Sequence, residues 1–210
     1  MMNLVTIFPT SFTVFDVETT GLSALSGDRI VEIGAVRIEG GEIRSASPFL
    51  SLVNPQRAIP WEARSVNGIT EEELTHAPTI DTVLPQFLEF AQNSILVAHN
   101  AEFDMGFLHA EKEMCWGYID IPECLCTLTL SRTVSPHEYR HNLDAVATRL
   151  GIVLPQEGRH RALPDVLLTA QVFLKLLERG QIRSLPELKS KAIPLMGTKL
   201  KSRVSSWPSA

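Results

Sequence analysis

Residues 11–53 carry three successive apolar, β-branched segments, and beyond Asn54-Pro55 the hydrophobic period changes from that of strands to that of helices. Residues 11–17 read as the first strand. Residues 30–38 read as the second, with Ile30, Glu32, Gly34 and Val36 on one face and Val31, Ile33, Ala35 and Arg37 on the other. Glu39-Gly40-Gly41 is a hairpin signal, and residues 43–53 return as a third strand. Three consecutive strands with short turns predict an antiparallel meander.

Helical spacing then takes over. Residues 60–75 read as a loop with short helical pieces. Residues 80–91 repeat Ile80, Val83, Leu84, Phe87, Leu88 and Ala91 on one stripe. Residues 94–98 form a short buried strand. Asn100 stands where it can cap a helix whose inner side is Phe103, Phe107, Leu108 and Ala110. Residues 122–130 hold a short strand and a helix turn, and residues 142–150 a compact helix ended by Gly151. The longest helix spans residues 162–178, with Pro164 near its first turn and Gly180 at its stop. A meander followed by alternating helices and short strands predicts an α/β fold, a mixed sheet flanked by helices. One domain over residues 1–180 is expected, with residues 181–210 a basic C-terminal tail or loosely packed extension.

Charge is unevenly shared. The net charge of −5 divides into +5 beyond residue 187, from Lys189, Lys191, Lys199, Lys201 and Arg203, and −10 before it. A body that acidic does not grip nucleic acid by charge alone; it suits an enzyme whose carboxylates are neutralised by bound metal before a phosphate arrives. No stretch reaches the roughly 20 apolar residues of a membrane span, and residues 1–10 lack the basic start of a signal peptide. A cytoplasmic protein without membrane association is expected. Cys115, Cys124 and Cys126 make neither a disulfide framework nor a zinc knuckle and read as free, partly buried thiols.

Phe15-Asp16-Val17-Glu18-Thr19-Thr20-Gly21 places two carboxylates on one face at the end of a strand, where like charges need a cation or a trapped proton. His99-Asn100-Ala101-Glu102-Phe103-Asp104 runs from a strand into a helix, with Asp104 in or near its first turn. His160-Arg161-Ala162-Leu163-Pro164-Asp165 precedes another helix and puts Asp165 early in it. Each has a plainer structural reading when alone: a strand end turning at Gly21, or a first-turn carboxylate favoured by the helix dipole. Together, Asp16, Glu18, Asp104 and Asp165 with His160 match two-metal phosphoryl chemistry, in which two ions about 3.5–4 Å apart share oxygen ligands. A histidine titrating near neutrality then takes the proton of the attacking water.

In these three motifs, and in Ile30-Val31-Glu32-Ile33-Gly34-Ala35-Val36, Val53-Asn54-Pro55, Asn67-Gly68-Ile69-Thr70 and Asn142-Leu143-Asp144, the chain resembles the DEDDh (DnaQ-like) 3′–5′ exonucleases, the family of the epsilon proofreading subunit of bacterial DNA polymerase III and of ribonuclease T. The resemblance covers residues 11–178. It implies a ribonuclease H-like fold, a five-stranded mixed sheet with helices on both faces. It implies two Mg²⁺ or Mn²⁺ ions per site, held by Asp16, Glu18, Asp104 and Asp165, with Asp16 bridging them and His160 as general base. Nucleoside 5′-monophosphates would leave from a 3′ end. By the same resemblance Glu18, Thr19, Thr20, Ile69, His99, Asn100 and His160 would meet substrate. Thr19 and Thr20 serve equally well to build the turn, Asn100 to cap, Ile69 to fill core and His99 to support its neighbours. Pro164 and Val166 stand where small residues are usual in the family.

The implied partner is a DNA 3′ end, single-stranded or frayed, for proofreading or repair. The alternatives are RNA trimming, since the motifs do not read the 2′-hydroxyl, and an accessory protein that docks on a separate polymerase subunit or a sliding clamp. Gln181-Ile182-Arg183-Ser184-Leu185-Pro186 loosely resembles a clamp-binding peptide. A homodimer is the remaining partner reading.

Overall fold

The sheet is built around β1 (Ser11–Thr19), which pairs antiparallel with β2 (Ile30–Glu39) and parallel with β5 (Ser94–Ala98). A computed structural model describes residues 10–115, 119–155 and 161–193. β3 (Glu42–Ile43) and β4 (Phe49–Leu52) both pair with β2, and β6 (Cys124–Cys126) extends β5 in parallel. The order β3-β2-β1-β5-β6, with β4 sharing the outer side of β2, occupies five strand positions. This is the expected ribonuclease H-like mixed sheet. The predicted third strand is broken in two: the five residues between β3 and β4 include Ser45, Ser47 and Pro48, and a proline has no N–H for the ladder.

Alternation along β1 assigns the two faces. Phe12 and Val14 point to a core shared with Val36, Ile38 and the long helix α7 (Ala162–Arg179), where Phe12 and Phe173 meet edge to face at 5.1 Å. Phe15 and Val17 point the other way, to α3 (Ile80–Phe90) and α4 (Ala101–Met114). A side chain of even number near the end of β1 therefore lies on the α7 face. On β2 the same parity puts Glu32 and Gly34 on that face.

Shorter helices close the domain: α1 (Trp61–Asn67), α2 (Glu71–Thr75), α5 (Thr127–Val134), α6 (Leu143–Arg149) and α8 (Leu185–Ala192). The last of these changes the reading of the C-terminal segment. Ile182, Leu188 and Ala192 are buried in the α7 core and Leu185 packs against it, so residues 181–193 are part of the domain rather than a loose extension. Residues 194–210 lie outside the described residues. The clamp-peptide reading of residues 181–186 also meets an obstacle, because Ile182 is core and Ser184 caps α8 by accepting the N–H of Glu187. Among the described residues no helix is long and apolar enough to cross a membrane. All three cysteines are free and buried.

Candidate metal centre

Asp16 and Glu18 continue the parity of Phe12 and Val14 and so face α7, whose first turn carries Asp165. One ligand atom from each of Asp16, Glu18 and Asp165 lies within 4.8 Å of the others. Pro164 sits at the third helical position rather than the first; it still falls in the opening turn, where no intrahelical N–H bond is lost. The pairing of β1 with β2 shifts register between Glu18 and Thr19, a bulge of the kind that re-aims a strand end.

Asp104 comes from the first turn of α4, on the opposite side of β1. Its carboxylate is buried and its Oδ1 accepts the N–H of Val17 at 3.2 Å, which ties α4 to the strand between the two ligand positions. It stands beside the triad, not inside it.

The electrostatics of the site are unbalanced toward negative charge. Burial first, then the charges of Glu32 and Asp104, push the Glu18 carboxyl up to about 8, against the opposing pull of Arg161. Burial pushes Asp104 up to about 7, against the N–H groups it accepts. Three clustered carboxylates, one of which prefers its proton at neutral pH, fit a divalent cation: all-oxygen ligands at this spacing are what Mg²⁺ and Mn²⁺ take. Asp16, Glu18 and Asp165 are the residues that would hold it.

The other expected site residues divide. His99, at the end of β5, is largely buried; its Nδ1 shares a 2.8 Å hydrogen bond with Thr127 Oγ1. Burial holds its ring down to about 4, outweighing the main-chain group of His141, so it is neutral. Asn100 occupies the cap position of α4 in a left-handed conformation and its side chain makes no capping bond. Thr20 is buried, and the turn uses both its N–H (to Arg29 O, 2.8 Å) and its hydroxyl (to Asp28 Oδ1, 3.3 Å); Thr19 Oγ1 donates to Gly21 O at 2.6 Å. These threonines build the turn. Ile69 is fully buried with Val31, Ile59 and Leu74, so it is core and not a wedge against bases. His160 lies outside the described residues.

Four residues around the centre were not singled out by sequence. Glu32 accepts from both Arg161 and the N–H of Ala162. Glu111 of α4 binds Arg29 through two 2.8 Å bonds and the N–H of Ile30 at 3.0 Å. A buried carboxylate thus pins each acid-bearing helix to β2 or to the turn before it. The available signal was an acidic residue on an otherwise apolar face, as Glu32 is in its strand.

An exonuclease family model matches residues 13–173. The DNA polymerase III subunit epsilon-like protein of Rhodobacter capsulatus is 43% identical over 190 residues, 90% of this chain but 26% of that protein. The PolC-type DNA polymerase III of Clostridium perfringens is 39% identical over 188 residues, 88% of this chain and 13% of that one. The chain thus spans about a quarter or less of the length of these relatives. Exonuclease X, solved in complex with 5′ overhanging duplex DNA, matches with a TM-score of 0.68 at 27% identity, over 84% of this chain and 99% of its own. The model match covers most of the chain and the fold and carboxylates agree with it: the chain belongs to the DEDDh (DnaQ-like) 3′–5′ exonuclease family.

Proposed function

We propose that this chain is a metal-dependent 3′–5′ exonuclease that removes nucleoside 5′-monophosphates from DNA 3′ ends, with two Mg²⁺ or Mn²⁺ ions in the working site. The observation that carries the reading is the convergence of Asp16, Glu18 and Asp165 within 4.8 Å. When bound, such ions lower the pKa of a coordinated water and polarise the phosphoryl oxygens. Asp104, in the first turn of α4, is assigned as a ligand of the second ion by its place in the second motif. His160, the residue before Arg161, is assigned as the group that takes the proton of the attacking water, by its place in the third motif. His99 stays neutral and supports the strand end rather than moving protons. Glu18 is assigned to meet the terminal 3′-hydroxyl by its place in the first motif.

DNA as the substrate is supported by the likeness to Exonuclease X bound to a duplex. A role in editing for a polymerase is supported by the DNA polymerase III names of the relatives. That work is cytoplasmic. The test is incubation of the purified chain with 3′-labelled single-stranded DNA, a duplex with a mismatched end, and RNA, each with Mn²⁺ or EDTA. Stepwise shortening of DNA that EDTA and Asp16→Ala both abolish is expected. Hydrolysis that survives EDTA would overturn the reading, and exclusive attack on RNA would replace its substrate.

A further inference from the structure

Glu32 lies directly opposite Glu18 across β1 and β2, and it is 1% exposed, yet it does not join the cluster of Asp16, Glu18 and Asp165. Its oxygens are already engaged. Arg161 Nη2 donates to Oε1 at 2.7 Å and Nε to Oε2 at 3.1 Å, while the N–H of Ala162 donates to Oε2 at 2.9 Å. The guanidinium fork and the first helical N–H are therefore read by one carboxylate fixed in a central strand. Arg161 also reaches Glu73 Oε1 at 3.9 Å, and Glu73 closes the capping box of α2 with Thr70. Asp165 follows one turn later, with its own N–H directed at Arg161 O at 3.4 Å. Any displacement of Arg161 is carried along that turn to Asp165.

We propose that Glu32 and Arg161 are positioning residues for the cation site, a reading that rests on the assignment of a metal-dependent nuclease centre. Their ion pair sets the start of α7 at the height on β2 where Asp165 meets Asp16 and Glu18. It also keeps the carboxylate opposite Glu18 out of the group formed by Asp16, Glu18 and Asp165. Partners that orient metal ligands from behind change affinity by about 10–100-fold when removed. Lysine is a poorer partner for Glu32 than the arginine, because a point charge does not engage both carboxylate oxygens as the guanidinium fork does.

The experiment is calorimetric titration of the whole chain with Mn²⁺, without nucleic acid, on the native protein, Glu32→Gln and Arg161→Lys, with melting temperatures in EDTA taken in parallel. Glu32→Gln should weaken Mn²⁺ roughly 10–100-fold, and Arg161→Lys should shift it less in the same direction. Native Mn²⁺ affinity in Glu32→Gln, whatever its melting temperature, overturns the proposal. If Glu32→Gln does not fold, Arg161→Lys decides it: weaker binding supports the proposal and native affinity overturns it. A native chain that binds Mn²⁺ but degrades no nucleic acid would instead sink the proposed function and leave this inference standing.

Discussion

A Cβ placed on Gly34 would lie 2.7 Å from the Cβ of Ala162 and 2.9 Å from its carbonyl carbon, closer than side chains come in real structures. Gly34 pairs with Asp16 across β1 and β2, so the closest approach of α7 to the sheet occurs beside a metal-ligand candidate. Here the missing side chain sets a distance. The helix can deliver Asp165 to Asp16 and Glu18 because nothing stands between its first turn and the strand.

Gly34→Ala should therefore push the first turn of α7 outward. The obstacle includes backbone, which cannot swing away as a flexible side chain does, so the overpacking should cost about 1–3 kcal/mol. Mn²⁺ affinity should fall with it, because Asp165 moves with the turn. Adding Ala162→Gly relieves the nearest contact and should recover part of both losses. Urea unfolding and Mn²⁺ titration of the single and double variants measure this; native affinity in Gly34→Ala would show that Asp165 does not depend on the close approach.

Much of the fold was legible because it depends on local period. The strand alternation holds from Glu32 to Val36, but Ile30, beyond the register shift, packs with Ile33 and Ala35 in the opposite core; the helix stripes at residues 80–91 and 162–178 are real. The carboxylate grouping was legible because Asp16, Glu18 and Asp165 each sit beside a strand end or helix start that sequence marks well. What was hidden depends on distant partners. Glu32 and Arg161 are 129 positions apart, and neither residue announces the other. Ile69 reads as a loop residue until Val31, Ile59 and Leu74 close around it. The final helix was masked by its lysines, since Ile182, Leu185, Leu188 and Ala192 make a thin stripe in a polar setting.

Metal-free protein should lose stability as pH rises. Glu18 has a folded pKa of about 8 against an ordinary 4.5, raised by burial and then by Glu32 and Asp104. A raised folded value means that the protonated form is favoured by folding. The contribution is full below pH 4.5 and is lost as pH climbs through about 8. Asp104 adds the same trend between 3.8 and about 7. Melting curves in EDTA should show this fall, Glu18→Gln should flatten it, and saturating Mg²⁺ should abolish it by binding the ionised form. An EDTA melting temperature that is flat over this range in the native protein would contradict the buried-proton reading of Glu18.

His99 predicts a slope of the opposite sign. Burial holds its ring at about 4 against an ordinary 6.5, so folding favours the neutral form. That stability is present above pH 6.5 and lost as pH falls through about 4. His99→Gln should remove this acid limb. Thr127→Val, which takes away the hydroxyl bonded to Nδ1, should cost about 1–3 kcal/mol by leaving a buried ring nitrogen unpaired. Urea unfolding across the acid range separates the two effects: only the histidine variant should change the pH dependence.

The buried pair Glu111–Arg29 is the counterpart of Glu32–Arg161 on the other acid-bearing helix, and it should behave as a unit. Glu111 is 2% exposed and holds the Arg29 guanidinium and the N–H of Ile30, while Asp104 lies two turns earlier on the same helix. Glu111→Ala leaves an arginine and a main-chain donor uncompensated and should cost about 3–5 kcal/mol, the range for breaking a buried pair by removing one member. Arg29→Ala leaves a buried carboxylate with the N–H of Ile30 but no countercharge and should also be damaging. The double variant removes both charges and should cost clearly less than the two single losses combined, because neither ion is then stranded. Denaturant unfolding of the four proteins completes the cycle. Losses that simply add would mean that the two side chains stabilise the α4–β2 junction independently, and that the ion pair is not what fixes the helix carrying Asp104.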